Sequence, residues 1–418
     1  MKTKNVIITL LCLGLVAKAS ESNTNVVTEL SLDQALAWAA GSHPDLAVAR
    51  AGVRAADGLA AQAGRWPNPA LVARLESVPF DRGAVDTSEY IAGVSQTIPL
   101  GRRLSRAREA GLAQQASLSQ TTRLAWQRIA TQVRQAFAVG LYQDQAAQLQ
   151  SRVLANAEQA VAIAQARYDA GDTSQDQVAQ AQIAAARAQA EAQRSQSMRQ
   201  QAMTSLIAAM GNPDVRIDSL GGSLEEAFEI PVIEEMARSM IGHPELNVAR
   251  AEEQAAMARV DLARAQRVPD INVEFLYRRI EGLDANTFDV GLRIPLPTWN
   301  ANRGRIAAAQ AELEAAQIRS RAKAVELGQR AEVSETRLRT ALATARSLKT
   351  DVLPQSQAIR GVMEKRLAAG DISLNEFLPV ERSWASIQIT YLESLRDVML
   401  AWAEVRSALN LDQEMNRL

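Results

Sequence analysis

The chain has 418 residues, with 46 basic and 47 acidic side chains and a net charge of −1. That balance gives no electrostatic reason to invoke nucleic acid. One cysteine and two histidines in the whole chain leave little material for thiolate or histidine-rich metal sites.

The opening segment, MKTKNVIITLLCLGLVAKAS, has a basic front (Lys2, Lys4), an apolar run from Val6 to Val16 and small residues at Ala17 and Ala19. This pattern predicts a secretory signal peptide over 1–19. The run is too short for a spanning helix, and no later stretch reaches the required length. Cys12, the one cysteine, falls inside the leader and lacks the small neighbours of a lipoprotein anchor. The mature chain is therefore expected to have no thiol, and its only lysines are Lys323, Lys349 and Lys365. Its Ala/Gln/Arg/Glu texture points to long helices.

The mature chain is written twice. HPDLAVARA at His43 returns as HPELNVARA at His243, and RWPNPALVARLE at Arg65 as RVPDINVEFLYR at Arg267. YIAGVSQTIPLGRR at Tyr90 is echoed by FDVGLRIPLPTW at Phe288, and RYDAGDTSQDQV at Arg167 by RLAAGDISLNEF at Arg366. Four landmarks in one order predict two tandem units, 20–211 and 243–410, with a connecting segment 212–242 and a tail 411–418.

Each unit opens with a helix at Pro44 or Pro244, where proline suits the first turn and Asp45 or Glu245 suits the positive end of the dipole. A β-hairpin follows, at about 68–99 and about 270–296. The second alternates cleanly. Ile271, Val273, Phe275 and Tyr277, with Phe288, Val290, Leu292 and Ile294, form an apolar face. Asn272, Glu274, Arg278, Asp289 and Arg293 oppose them.

Long helical hairpins come next, over 102–210 and 302–410. The first arm has no proline from Arg102 to about Tyr168 and would be roughly 100 Å long. In the second, Pro354 predicts a kink or break. Each arm ends at a turn where Gly171 or Gly370 is the expected left-handed cap and Ser174 or Ser373 the expected N-cap of the returning helix.

Strands of nine to eleven tilted residues have the length that crosses an outer membrane. Four strands cannot close a barrel, and open edges are not tolerated in lipid. Three chains would supply twelve strands, and the same three chains would extend the tube with helices. Two competing readings are a soluble hairpin pair packed on helices and a secreted coiled-coil scaffold.

These landmarks together resemble the TolC-like outer-membrane efflux channels over nearly all of the mature length. The SQTIPLGRR junction is similar to that of the heavy-metal branch, the outer-membrane partners of cobalt–zinc–cadmium and cobalt–nickel resistance exporters. The resemblance implies a mainly α protein with a tandem-duplicated α/β-barrel fold and a homotrimer with a twelve-stranded barrel in outer-membrane lipid. It also implies a twelve-helix periplasmic tunnel and an equatorial belt from the inter-repeat segment and chain ends. Expected partners are a periplasmic adaptor and a proton-driven inner-membrane pump of the resistance-nodulation-division type. The expected function is the exit duct of a tripartite system exporting cobalt, zinc, cadmium or nickel, with a duct for drugs or secreted proteins as the alternative.

The resemblance also places the turns at the periplasmic end, as gate and adaptor-docking tip: Arg167, Tyr168, Gly171, Asp172 and Ser174, with Arg366, Leu367, Gly370, Asp371 and Ser373. Asp172 and Asp371 read either as solvated turn residues or as a negative ring favouring cations and held shut by arginines. His43 and His243 read as structural residues before a helix-opening proline, because no ligand cluster surrounds them. No nucleophile–base constellation, phosphate loop or cofactor motif is present, so neither enzyme activity, a cofactor nor a resident metal is expected.

Overall fold

The computed structural model describes residues 25–79, 87–230 and 242–411. The expected signal peptide, part of the first hairpin loop, part of the inter-repeat segment and all but Leu411 of the tail lie outside the described residues. In chain order come β1 (Asn25–Leu30), α1 (Leu32–Ser42), α2 (Pro44–Ala63), β2 (Ala70–Glu76) and β3 (Glu89–Ile98). Then come α3 (Arg103–Asp169), α4 (Gln175–Met210) and β4 (Val215–Leu220). After a 3-10 turn at Leu224–Glu229 the second half has α5 (Pro244–Ala265), β5 (Ile271–Ile280) and β6 (Ala285–Arg293). It ends with α6 (Arg303–Ser347), α7 (Leu353–Ala369) and α8 (Leu374–Ala408).

The two hairpins join into one antiparallel sheet of order β2-β3-β5-β6. The seam between repeats is β3 against β5, in register from Glu89↔Ile280 to Ile98↔Ile271. Within the chain, β2 and β6 each keep one unpaired edge. Below the sheet the helices lie side by side in a strip, four across. Near the sheet α2 packs on α3, α3 on α5 and α5 on α6. Farther down α4 packs on α3, α3 on α8, and α8 on α6 and α7.

The strip thickens at its middle. There β1 pairs in parallel with β4, from Asn25↔Val215 to Leu30↔Leu220, a pairing that the residue pattern alone does not predict. Leu30, Val133, Leu206, Met210, Leu224 and Val398 are fully enclosed in the core beside this small sheet. The middle of α3 runs through the core, burying Trp126, Ile129, Phe137 and Leu141. By contrast α7 has no buried residue.

Pro354 does not break the helix. Residues Leu348–Val352 form a π-helical turn between α6 and α7, and the N–H of Leu353 reaches the carbonyl of Leu348. Widening the turn just ahead of the proline accommodates a residue with no N–H to donate, so the chain stays helical past it.

Candidate functional site

The sheet is the first element of the site. Across the register, Leu71 faces Val94, Val94 faces Phe275 and Phe275 faces Val290; one pair along, Tyr277 faces Phe288. Leu71, Phe275, Phe288, Val290 and Leu292 are all more than half exposed, and Tyr90, Val94, Tyr277 and Ile294 nearly so. Alternation along each strand has become one apolar face four strands wide. The Tyr277 and Phe288 rings meet edge-on at 5.7 Å. Of the positions read as lipid-facing, Ile271 and Val273 are half-buried, and Ile294 falls one residue past the end of β6.

The opposite face is mixed: Ile91 and Leu276 are buried on it, and its polar side chains pair with one another. Arg278 donates to Asp289 on β6 at 2.8 Å and to Glu89 on β3. Ser95 donates to Asn272 at 2.9 Å across the repeat seam. Alternation placed Arg278 and Asp289 on one face, but Glu89 arrives from 189 residues away and carries no local signal.

The tip turns are the second element. In the first, the N–H of Gly171 reaches the carbonyl of Tyr168 at 2.9 Å, and that of Asp172 reaches Arg167 at 2.8 Å. The second repeats this: Gly370 to Leu367 at 3.1 Å and Asp371 to Arg366 at 2.9 Å. These are paired Schellman closures, and they need a left-handed residue at the glycine; φ is +79° at Gly171 and +80° at Gly370. Arg167, Tyr168, Asp172, Ser174, Arg366 and Asp371 are exposed, while Leu367 and Ser373 are half-buried. Among the described residues, neither arginine pairs with a turn aspartate within the chain. Arg167 and Leu367 come together as walls of one groove of about 330 Å³, with Gln177 and Glu364.

The caps of the returning helices fall where expected, and their side chains differ. Both serines occupy the N-cap with extended backbone. Ser373 gives its N–H and Oγ to the Glu376 carboxylate, at 2.8 and 3.0 Å. These bonds hold the Glu376 carboxyl below the ordinary range. Ser174 makes no side-chain capping bond, because Gln177, which stands where Glu376 does, accepts from Thr173 instead, at 2.7 Å.

Sequence reasoning missed a cluster two turns above the second tip. Glu381 is 7 % exposed. It accepts from Arg360 on α7 at 2.6 Å and from Asn156 on α3 at 3.1 Å. The Arg360 guanidinium lies 4.5 Å from the centre of the Trp384 ring. Three helices thus meet on one carboxylate. Beside it, a groove of about 670 Å³ separates α3 and α4 from α8, lined by Asn156, Ile183, Arg187, Phe377 and Glu381.

The histidines are helix caps. The Nδ1 of His43 accepts from the N–H of Asp45 and that of His243 from Glu245, both at 3.2 Å. His243 is 1 % exposed, and its Nε2 donates to the Ser407 carbonyl at 3.0 Å. With both ring nitrogens used, His243 has no lone pair left for a metal. Burial pushes its pKa down. The sequence offered proline-adjacent histidine; the ring bonds required the fold.

This architecture has known counterparts. The model for the outer membrane efflux protein family matches residues 35–212 and 238–411. The chain belongs to that family. Its members are transport proteins of the outer membrane, not enzymes. The cobalt-zinc-cadmium resistance protein CzcC of Cupriavidus metallidurans is 27 % identical over 365 residues, covering 87 % of this chain and 86 % of that protein. The nickel and cobalt resistance protein CnrC of the same organism is 32 % identical over 290 residues, covering 69 % and 68 %. Among solved structures, the outer membrane protein VceC of Vibrio cholerae matches with a TM-score of 0.70 at 19 % identity, over 90 % of this chain and 95 % of that one. The MtrE outer membrane channel of Neisseria gonorrhoeae matches at 0.74 and 19 %, over 90 % and 88 %. The fold is thus that of the TolC-like efflux channels, and a secreted scaffold that never meets a membrane is set aside.

Proposed function

We propose that three copies of this chain close into the exit duct of a tripartite, proton-driven system that exports divalent heavy-metal cations. One observation carries the closure: the sheet is four strands across and the helical layer four helices across, each with two open sides. At the sheet these are the free edges of β2 and β6. On the helices, Val48 and Leu59 of α2, Ile183 of α4, and Ile318, Val325 and Val333 of α6 are all more than half exposed on the outermost members of the strip. Bare strand edges in lipid are prohibitive, and apolar stripes at helical spacing call for a partner helix. A ring of copies meets both needs at once.

In this reading Phe275, Tyr277, Phe288, Val290 and Leu292, with Ile271, Val273 and Ile294 toward the strand ends, face lipid. The turns at 167–174 and 366–373 form the periplasmic gate and engage the adaptor that links to the inner-membrane pump. The cargo assignment draws on the metal-resistance relatives. The test is a strain lacking this gene, with and without the gene restored. Restored tolerance to cobalt, nickel, zinc or cadmium, and a three-chain cross-linked species in the outer membrane, are expected. Restored tolerance to organic drugs alone would favour a drug duct.

A further inference from the structure

The net charge of −1 conceals a strong local imbalance. Where the sheet passes into helices, at the ends of α2 and α5 and the starts of α3 and α6, every cationic side chain is an arginine. Three nearby carboxylates are already engaged, Asp270 by Arg103 and Glu109 and Asp261 by Arg106, and Asp57 near the end of α2 offsets only one of the remaining cations. Exposed Arg65, Arg102, Arg267, Arg303 and Arg305 have no carboxylate partner within the chain among the described residues. Two tryptophans stand at the same level, one from each repeat: Trp66 is 60 % exposed and Trp299 fully so. Leu296, beside Trp299, is 77 % exposed.

Both repeats therefore deliver surplus guanidinium and bare indole to the rim where the apolar sheet face ends. Tryptophan favours the headgroup level of a bilayer. The planar fork of arginine matches two phosphate oxygens at once, and its apolar stem lies against lipid while its head stays wet. Ion pairs within the chain would leave no charge to spare, and an aqueous surface has no use for a fully exposed indole.

We propose that this rim is a binding surface for the phosphate of anionic phospholipid headgroups in the periplasmic leaflet. The inference rests on the reading of the sheet as a membrane wall. It adds that the rim selects headgroups by charge and so fixes how deep the barrel sits.

Spin-labelled phosphatidylglycerol and phosphatidylcholine, each a trace in bilayers holding the assembled channel, test it through the fraction of label immobilised by the protein. Phosphatidylglycerol should be immobilised several-fold more strongly. The preference should vanish from about 0.01 M to about 1 M salt, as the Debye length falls from roughly 30 to 3 Å. The combined change Arg65→Gln, Arg267→Gln and Arg303→Gln should abolish most of it, and lysine at the same positions should restore part. Should the combined variant fail to assemble, Arg267→Gln alone and the salt series on the parent carry the test. Equal immobilisation of the two lipids by the parent, or a preference indifferent to salt or to these arginines, overturns the proposal. So does a shifted reversal potential in the glutamine variant with the lipid preference intact, which would place the guanidiniums inside the conduit. A parent that immobilises neither lipid overturns the membrane-wall reading along with it.

Discussion

The two helical hairpins share a turn and differ in how they are held. The first is one unbroken helix of 67 residues and its return, and its long arm is anchored by the apolar core from Leu124 to Leu149. The second is interrupted by the π turn, carries Pro379 inside its return helix and buries nothing along α7. Its lower half is tied by polar contacts at two heights. At the upper one, Lys349 in the π turn and Tyr391 on α8 both bond Glu225 of the equatorial 3-10 turn, and Lys349 lies 4.4 Å from the centre of the Phe228 ring. At the lower one stands Glu381. Apolar burial is undirected and hard to undo in part, whereas a few directed bonds can be released one at a time. Duplication has thus yielded one arm held mainly by apolar burial and one held in its lower half by directed polar bonds.

The largest expected effect comes from cutting the lower tie. Glu381→Ala leaves the partly buried Arg360 guanidinium only Glu364, 3.8 Å away, and leaves the Asn156 amide without its acceptor, a loss of about 2 kcal/mol, below that of a fully buried pair. Amide exchange should accelerate along α7 and lower α8. It should change little in α3 above Asn156, which the core holds. Equal acceleration in both hairpins would dissolve the distinction between the arms.

The two histidine caps break the symmetry at the middle of the strip, beside the core. Protonating His243 would cost its Nδ1 bond to the Glu245 N–H, in a site shared with Lys323 and Arg330, which face it through Glu245. Burial first, and then those cations, oppose the charge, while Ser407 and Glu245 favour it; the net shift is downward. A lowered folded pKa means the unfolded chain binds the proton more readily. Stability is therefore complete above the unfolded value near 6.5 and is lost as pH falls from there through the folded pKa. Thermal unfolding of the assembled protein between roughly pH 7.5 and roughly pH 5.5, the histidine window, should show this loss, and His243→Asn, which keeps a capping acceptor, should flatten it. A slope that survives in His243→Asn would assign the acid sensitivity elsewhere.

A smaller effect is expected at the upper tie. Burial works against the Glu225 charge, but Lys349 and Tyr391 outweigh it and hold its pKa below the usual range. Both partners of the Lys349 pair are nearly half exposed, so Lys349→Met should cost only ~1 kcal/mol or less. In the proposed duct the sharper readout is functional: with α7 freed below the π turn, single-channel conductance should rise while the yield of assembled protein holds. Unchanged conductance would mean the π turn is not the pivot.

Much of this was legible from residue order, and the rest was hidden for definite reasons. Alternation from Phe275 to Leu292 revealed the sheet because a strand shows its two faces locally. Gly171 and Gly370 announced the turns because few other residues accept a left-handed φ. The pairing of NVVTEL with VRIDSL stayed hidden, since two short parallel strands joined across the whole first repeat leave no turn signal. Pro354 marked the irregularity but not its form, because local propensity is silent on the π turn that precedes it. Glu381 carries no local signal; its partners come from α3 and α7, and only the packing of three helices brings them together.

The finest test of the comparison lies in the caps at the tip. Ser373 and Ser174 occupy the same N-cap position in the two repeats, with nearly the same extended backbone. Ser373 Oγ and N–H both bond Glu376, whereas the Ser174 side chain caps nothing. Ser373→Ala removes the Oγ bond to Glu376 and keeps the N–H bond, so the start of α8 should loosen slightly. Ser174→Ala removes no such bond, and alanine is the better helix former nearby, so its effect should be close to zero. Amide exchange at Asn375–Leu378 against Asp176–Ala179 measures both. Because the carboxylate of Glu376 holds the cap only when ionised, the Ser373 effect should be present above the ordinary glutamate pKa. It should fade as pH falls below that value and through the lowered one in the fold. Equal responses to the two alanines would mean that the second tip owes nothing to its capping bonds and that the hairpins differ only above it.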